Sequence, residues 1–260
     1  MSFNPSEMFS LEGKTAVVIG GSGVLGGVFA RALAGAGAKV GIIGRTPEKV
    51  EAAVGSLRSS GAEAVGAVAD VSTRSQVEAA RDRILEAFAG VDILVNAPGV
   101  NSTTPFFEIQ DEEWHRILDT NLKSMFLACQ IFGAHMAERG QGGSIINISS
   151  ISSGPPLSKV FTYGISKAGV NNLTQWLARE FAPHKIRVNA IIPGFFPAEQ
   201  NRRILSKERV DAIIGHTPMG RLGEPEELAG TVIWLASDKA SGFVTGALIK
   251  VDGGFSAMTI

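Results

Sequence analysis

Tyr163 and Lys167 fall in one short stretch, Tyr163-Gly164-Ile165-Ser166-Lys167. On a helix, residues at this spacing share a face about one turn apart. Unit charges about 5 Å apart at an effective dielectric near 20 attract by roughly 3 kcal/mol. An ammonium so placed can draw a phenol down from its usual pKa near 10 by about two units. A tyrosine brought toward neutrality serves as a general acid or base. Taken alone, the pair also fits a helix with one aromatic and one surface lysine. The rest of the chain must supply the surroundings.

Those surroundings begin with Thr15 to Ile19, an apolar β-branched run that reads as a buried strand. It enters Gly20-Gly21-Ser22-Gly23-Val24-Leu25-Gly26-Gly27, then a helix over Val28 to Gly37 and a strand over Lys39 to Ile43. Strand, glycine turn, helix and strand within about thirty residues form a dinucleotide-binding βαβ unit. Gly21, Gly23 and Gly26 have the G-x-G-x-x-G spacing. Such glycines let a pyrophosphate approach the backbone and rest on the helix N-terminus. An acid at the end of the second strand would bind the ribose hydroxyls of NAD. Gly44, Arg45 and Thr46 stand there instead. Arg45 can pair bidentately with a 2′-phosphate, so NADP(H) is favoured over NAD(H).

Strands and helices keep alternating. Helices are expected over 47–60, Ser72 to Phe88, Asp111 to Met136, Thr162 to Phe181 and Glu224 to Ala236. Strands are expected over Glu63 to Val68, Val91 to Val95, Ser144 to Ile148, Arg187 to Ile191 and Ala247 to Val251. This alternation implies an α/β fold: a doubly wound, Rossmann-type parallel sheet in one domain over 14–260, after an N-terminal arm at 1–13. Ligands of such sheets sit beyond the carboxyl ends of the strands. Asp70, Asn96, Ser150 and Pro193-Gly194 all fall at such ends.

Composition excludes other classes. The chain has 260 residues with 24 basic and 25 acidic side chains, so no charged footprint for nucleic acid is present. Cys129 is the single cysteine, which rules out an internal disulfide and a multi-cysteine metal site. It reads as a small buried hydrophobe. No apolar run reaches the ~18 residues of a membrane span. The first residues lack the pattern of a secretory signal. The expectation is a cytoplasmic protein with no membrane or nucleic-acid partner. His115, His135 and His184 are scattered, and no metal site is expected.

At this point the chain resembles the short-chain dehydrogenases/reductases, over about Leu11 to Phe255. The likeness rests on the glycine turn, Asp70, Asn96-Ala97-Pro98-Gly99, Asn121, Ser150, Tyr163 with Lys167, Pro193-Gly194 and the terminal Val251-Asp252-Gly253-Gly254. The resemblance implies that Tyr163 moves the proton of the substrate oxygen. Lys167 lowers its pKa and holds the nicotinamide ribose. Ser150 hydrogen-bonds the reacting group, and Asn121 holds a relay water. Asp70 would face the adenine and Asn96 the adenosine-side ribose. Cofactor contacts are expected from Gly20, Ser22, Gly23, Val24, Leu25, Gly26, Arg45, Thr46, Asp70, Val71, Asn96, Ala97, Tyr163, Lys167, Pro193, Gly194 and Phe196. The chain departs from the family pattern at Ile19, Val24, Pro98 and Ala198, none of them a catalytic group.

Within that family the stretches 193–202 and 216–228 are most similar to the D-mannonate oxidoreductase (fructuronate reductase) type, with gluconate 5-dehydrogenases as neighbours. The implied reaction interconverts a keto group and a secondary alcohol of a sugar acid or polyol. A 3-oxoacyl-thioester reductase is the alternative, and a non-catalytic NADP(H)-binding sensor or scaffold a third reading. Residues 195–220 read as a substrate lid, with a helix over 199–214. Gln200, Arg202 and Arg203 open it, and an arginine there could clamp a carboxylate. Asn101, Ser102, Ser152 and His216 are further pocket candidates. The family's pairing of the helices at 111–136 and 162–181 between subunits implies a homotetramer.

Overall fold

Seven short runs rich in Val, Ile and Ala become seven strands, all paired in parallel. The computed structural model describes residues 4–196 and 206–258. In chain order the elements are α1 (Pro5–Phe9), β1 (Thr15–Ile19), α2 (Val24–Gly35), β2 (Lys39–Gly44), α3 (Pro47–Ser59), β3 (Ala64–Val68), α4 (Arg74–Phe88) and β4 (Ile93–Asn96). There follow α5 (Asp111–Leu118), α6 (Ser124–Arg139), β5 (Gly143–Ile148), α7 (Phe161–Phe181) and β6 (Ile186–Pro193). The chain continues with α8 (Lys207–His216), α9 (Ala229–Ala236), α10 (Asp238–Ser241) and β7 (Leu248–Val251). The sheet order is β3-β2-β1-β4-β5-β6-β7. This is the doubly wound Rossmann-type α/β fold. Its order reverses between β1 and β4, which opens a crevice at their carboxyl ends.

The strand period of two divides the core between the sheet's faces. Val18 and Ile42 pack with Phe29, Leu33, Val232 and Leu235. Val17, Ile19 and Ile43 turn the other way, onto Val77, Ile84, Phe132 and Met136. Burial on both sides leaves β1, β4, β5 and β6 buried at every residue. Gly41 is small because a Cβ there would lie 2.9 Å from the Ile84 side chain.

Three elements differ from expectation. The arm contains a short helix, α1, whose cap is the Asn4 side chain accepting from the Ser6 amide. It is tied down by Ser237 Oγ donating to the Met8 carbonyl at 2.6 Å and by fully buried Leu11. The helix expected over 111–136 is interrupted by a π turn at Asp119–Lys123. Periodicity alone does not register one inserted residue; here it turns Asn121 into the core. Of the helix expected over 199–214, the structure describes Lys207–His216, and the expected start at 199–205 lies outside the described residues. Among the described residues no helix is long and apolar enough to cross a membrane.

Candidate active site

The glycine turn owes its shape to close approach. Gly20 has φ +76, and a Cβ on it would lie 2.8 Å from the Ala97 carbonyl oxygen. A Cβ on Gly26 would meet the Gly20 oxygen at 2.1 Å. The helix therefore starts flush against β1, capped at Gly23, four residues before the helix expected at Val28. Gly23 and Gly27 amides are bonded within the turn, to Gly20 and Gly23 carbonyls, while among the described residues the amides of Val24, Leu25 and Gly26 have no backbone partner. Free first-turn amides at a helix N-terminus suit a pyrophosphate. Gly20, Ser22, Gly23, Val24, Leu25 and Gly26 thus form a cradle with the chemistry and clearance for a dinucleotide.

Beyond β2, Arg45 and Thr46 are exposed. Gly44 is tight: a Cβ there would lie 2.7 Å from Ser22 Oγ. Asp70 lies after β3, where its Oδ1 accepts from the Ser72 amide and hydroxyl at 3.0 and 2.7 Å. Those bonds, helped by Arg45, hold its carboxyl below the usual range. Val71 is buried beside it. After β6, Gly194 presses on Asp252, where a Cβ would come within 2.7 Å of the Asp252 Cα. Phe196 lays its ring on Gly223.

Asn96 is fully buried. Its Nδ2 donates to Asn147 Oδ1 at 2.8 Å, and Asn147 Nδ2 passes the chain on to Thr174 Oγ1 at 3.0 Å. The Asn96 side chain therefore ties β4 to β5 and α7. Cys129 lies against the same network, and burial pushes its thiol up to about 12. Asn147 escaped the sequence reading because it sits inside an apolar strand.

Asn121 grips the loop after β4. Its Oδ1 accepts from the Val100 amide at 2.8 Å, and its Nδ2 donates to the Val100 carbonyl at 2.9 Å and to Ser166 Oγ at 3.0 Å. Both amide protons are committed. Gly99 is thereby set beside the reactive lysine: a Cβ on it would be 3.8 Å from Lys167 Nζ and 3.9 Å from Asn121 Oδ1. The loop is also held by Glu113, which accepts from Ser102 Oγ at 2.5 Å and Thr104 Oγ1 at 2.6 Å. Nothing in the sequence singled out Glu113. Asn101 Oδ1 accepts from the Ser102 amide at 2.8 Å.

Ser150, Tyr163 and Lys167 converge at the end of β5. Lys167 is 3% exposed and donates from Nζ to the Ile148 carbonyl at 2.8 Å. Its Nζ lies 5.7 Å from the centre of the half-buried Tyr163 ring. Burial drives the lysine down to about 7. Burial also raises the phenol, with Ser150 pulling the other way. The expected lowering of the phenol by the lysine is not found: desolvation sets the direction, and the opposing pull comes from Ser150. Ser150 Oγ accepts from the Ser152 amide at 3.2 Å and contacts Ser152 Oγ at 3.3 Å. Ser149 Oγ donates to the Lys167 carbonyl, fastening α7 to β5.

Of the pocket candidates, His216 ends α8 and packs edge-on against Phe255 at 4.5 Å. Gln200, Arg202 and Arg203 lie outside the described residues. Among the described residues no three His, Cys, Asp or Glu side chains gather to hold a metal ion.

Comparison with known proteins bears on the family and the fold. The model of a family described as enoyl-(acyl carrier protein) reductase matches residues 22–256. An uncharacterized oxidoreductase of Bacillus subtilis, UxuB, is 42% identical, covering 95% of this chain and 96% of that protein. A 5-keto-D-gluconate 5-reductase of Escherichia coli K12 is 36% identical, covering 96% of this chain and 98% of its own. Among solved structures, a gluconate 5-dehydrogenase of Burkholderia cenocepacia in complex with NADP and tartrate superposes with a TM-score of 0.94. It is 35% identical and covers 98% of this chain and 100% of that one.

Proposed function

From the premise that the chain belongs to the short-chain dehydrogenase/reductase family, and so is an oxidoreductase, we propose that it reduces the keto group of a sugar acid with NADPH. The observation that carries this reading is the convergence of Ser150, Tyr163 and Lys167 beside the loop after β4, which Asn121 holds and whose Ala97 abuts Gly20 of the glycine cradle. Relatives with the same architecture act on 5-keto-D-gluconate or gluconate. D-fructuronate and 5-keto-D-gluconate are the first substrates to try.

The proposed roles follow from the geometry. A nicotinamide dinucleotide in the cradle supplies the hydride that reaches the carbonyl carbon. Ser150 donates a hydrogen bond to the carbonyl oxygen. Tyr163 delivers the proton that turns that oxygen into a hydroxyl. The phenolate left behind lies beside Lys167 and favours its charged form, offsetting the burial that otherwise discharges the lysine. Asn121 holds the Val100 loop, and Arg45 pairs with the 2′-phosphate that distinguishes NADP(H) from NAD(H).

We further propose a homotetramer in the cytoplasm. Phe126, Ile165 and Trp176 on α6 and α7 are exposed apolar side chains suited to pairing these helices between subunits. One observation favours the 3-oxoacyl-thioester alternative: Phe106, Phe107 and Phe161 form an exposed aromatic group two residues before Tyr163, with Phe106 to Phe161 centroids 4.7 Å apart. A screen of NADPH and NADH oxidation with D-fructuronate, 5-keto-D-gluconate and acetoacetyl thioester separates the readings. NADPH turnover with a keto sugar acid supports the first, and thioester reduction without it supports the second. Turnover with NADH alone sinks the assignment of Arg45.

A further inference from the structure

The lid helix α8 is anchored differently at its two ends. At its C-terminal end Ile213 is buried, Thr217 Oγ1 donates to the Ile213 carbonyl at 2.7 Å, and the Met219 amide donates to the Gly253 carbonyl at 3.1 Å. At the other end Arg209, on the first turn, reaches across to Ser158. Its Nη1 donates to Ser158 Oγ at 3.0 Å and its Nη2 to the Ser158 carbonyl at 2.8 Å. Ser158 lies in the segment that joins Ser150 to Tyr163, the two hydroxyls assigned to the substrate oxygen.

The charges at this edge are unbalanced. A guanidinium has five N–H donors, and Ser158 takes two of them with neutral acceptors. Among the described residues no carboxylate lies within 4 Å of Arg209 or of Lys159, the neighbour of Ser158. Lys159 is held at φ 67, a backbone conformation that side-chain-bearing residues seldom adopt. Arg209 thus bridges α8 to the segment that joins Ser150 to Tyr163, next in sequence to Lys159. Among the described residues the other three donors of Arg209 have no partner, and they can receive a carboxylate bidentately.

We propose that Arg209, with Lys159 beside it, is the carboxylate-recognising edge of the substrate site, and that Ser158 holds the guanidinium in readiness. This deepens the sugar-acid reading above and rests on it. It assigns to the first turn of α8 the carboxylate contact that residue types alone had suggested for Arg202 or Arg203.

The test is the affinity of D-gluconate for the NADP-loaded protein, measured by calorimetry, with uncharged D-sorbitol as the control. Arg209→Ala should weaken gluconate at least about tenfold, and Arg209→Lys less, because a point charge replaces a planar fork. Sorbitol affinity should not move. Ser158→Ala removes one of the two bonds to the guanidinium and keeps the carbonyl bond and the charge, so it should leave gluconate within about threefold, the size of a lost neutral hydrogen bond. Absence of gluconate binding to the wild type, an unchanged affinity in Arg209→Ala, or an equal loss in Ser158→Ala would overturn the proposal. Arg209-dependent gluconate binding by a protein that turns over no keto sugar acid would support the edge while removing the proposed reaction.

Discussion

Asn121 closes a two-point grip on Val100, accepting from its amide at 2.8 Å and donating to its carbonyl at 2.9 Å. The grip depends on the π turn at Asp119–Lys123, which brings an otherwise helical side chain inward. Through it the loop after β4 sets Gly99 beside Lys167. Asn121→Ala leaves both backbone groups of Val100 and the Ser166 hydroxyl without their partner. The expected cost is roughly 2–4 kcal/mol of stability, read by denaturant unfolding. Activity should fall further than NADPH affinity does.

The cradle gives a sharper expectation. A Cβ at position 26 would sit 2.1 Å from the Gly20 oxygen, and that oxygen cannot retreat without opening the turn. Gly26→Ala should weaken NADPH binding by at least about tenfold, since the helix N-terminus no longer meets the pyrophosphate. Fluorescence titration with NADPH checks this. Gly35→Ala is the control, because a Cβ there meets nothing within 4 Å.

Lys167 should make the cofactor-free protein more stable as pH rises. Its folded pKa is about 7 against an ordinary 10.5. Between those values the unfolded chain binds more protons than the folded one, so stability climbs with pH. Below pH 7 both states hold the proton and the penalty for burying the charge is present in full. Relative to Lys167→Met, the wild type should gain up to about 3 kcal/mol between pH 6.5 and 9.5. Urea melts of both proteins at the two pH values measure the difference. A flat difference would show that Lys167 keeps its proton when buried.

Cofactor choice rests on Arg45. Arg45→Ala should raise the KM for NADPH by about ten- to a hundredfold, the size of a lost charge-assisted phosphate contact, and leave that for NADH nearly unchanged. Gly44→Asp alone should not create an NAD enzyme. Its Cβ would come within 2.7 Å of Ser22 Oγ, so the carboxylate needs Ser22→Gly as well. Initial rates with both cofactors, for the single and double variants, decide the matter.

The sheet was readable because buried parallel strands are plain apolar runs, and the glycines between them mark the turns. Tyr163 and Lys167 were readable because helical spacing alone puts them together. Three features were hidden, each for a physical reason. The π turn adds one residue to a helix whose polarity pattern barely changes. The Asn96–Asn147–Thr174 network is built from polar residues in apolar surroundings, and their mutual contacts depend on strand register. Arg209 and Glu113 act on loops distant in sequence, and only the folded chain brings Ser158, Ser102 and Thr104 to them. Spacing predicts a lowered phenol because charge attraction can be estimated from it, whereas the desolvation that raises Tyr163 requires the packed site.

The most direct measurement is NADPH oxidation with 5-keto-D-gluconate and D-fructuronate by the wild type and by Tyr163→Phe, with NADPH affinity measured alongside. The expected result is turnover of at least one keto acid by the wild type. Its kcat should fall about a hundredfold or more in the variant while NADPH still binds. A variant that keeps its kcat within a few-fold of wild type would contradict the assignment of Tyr163 as the proton donor.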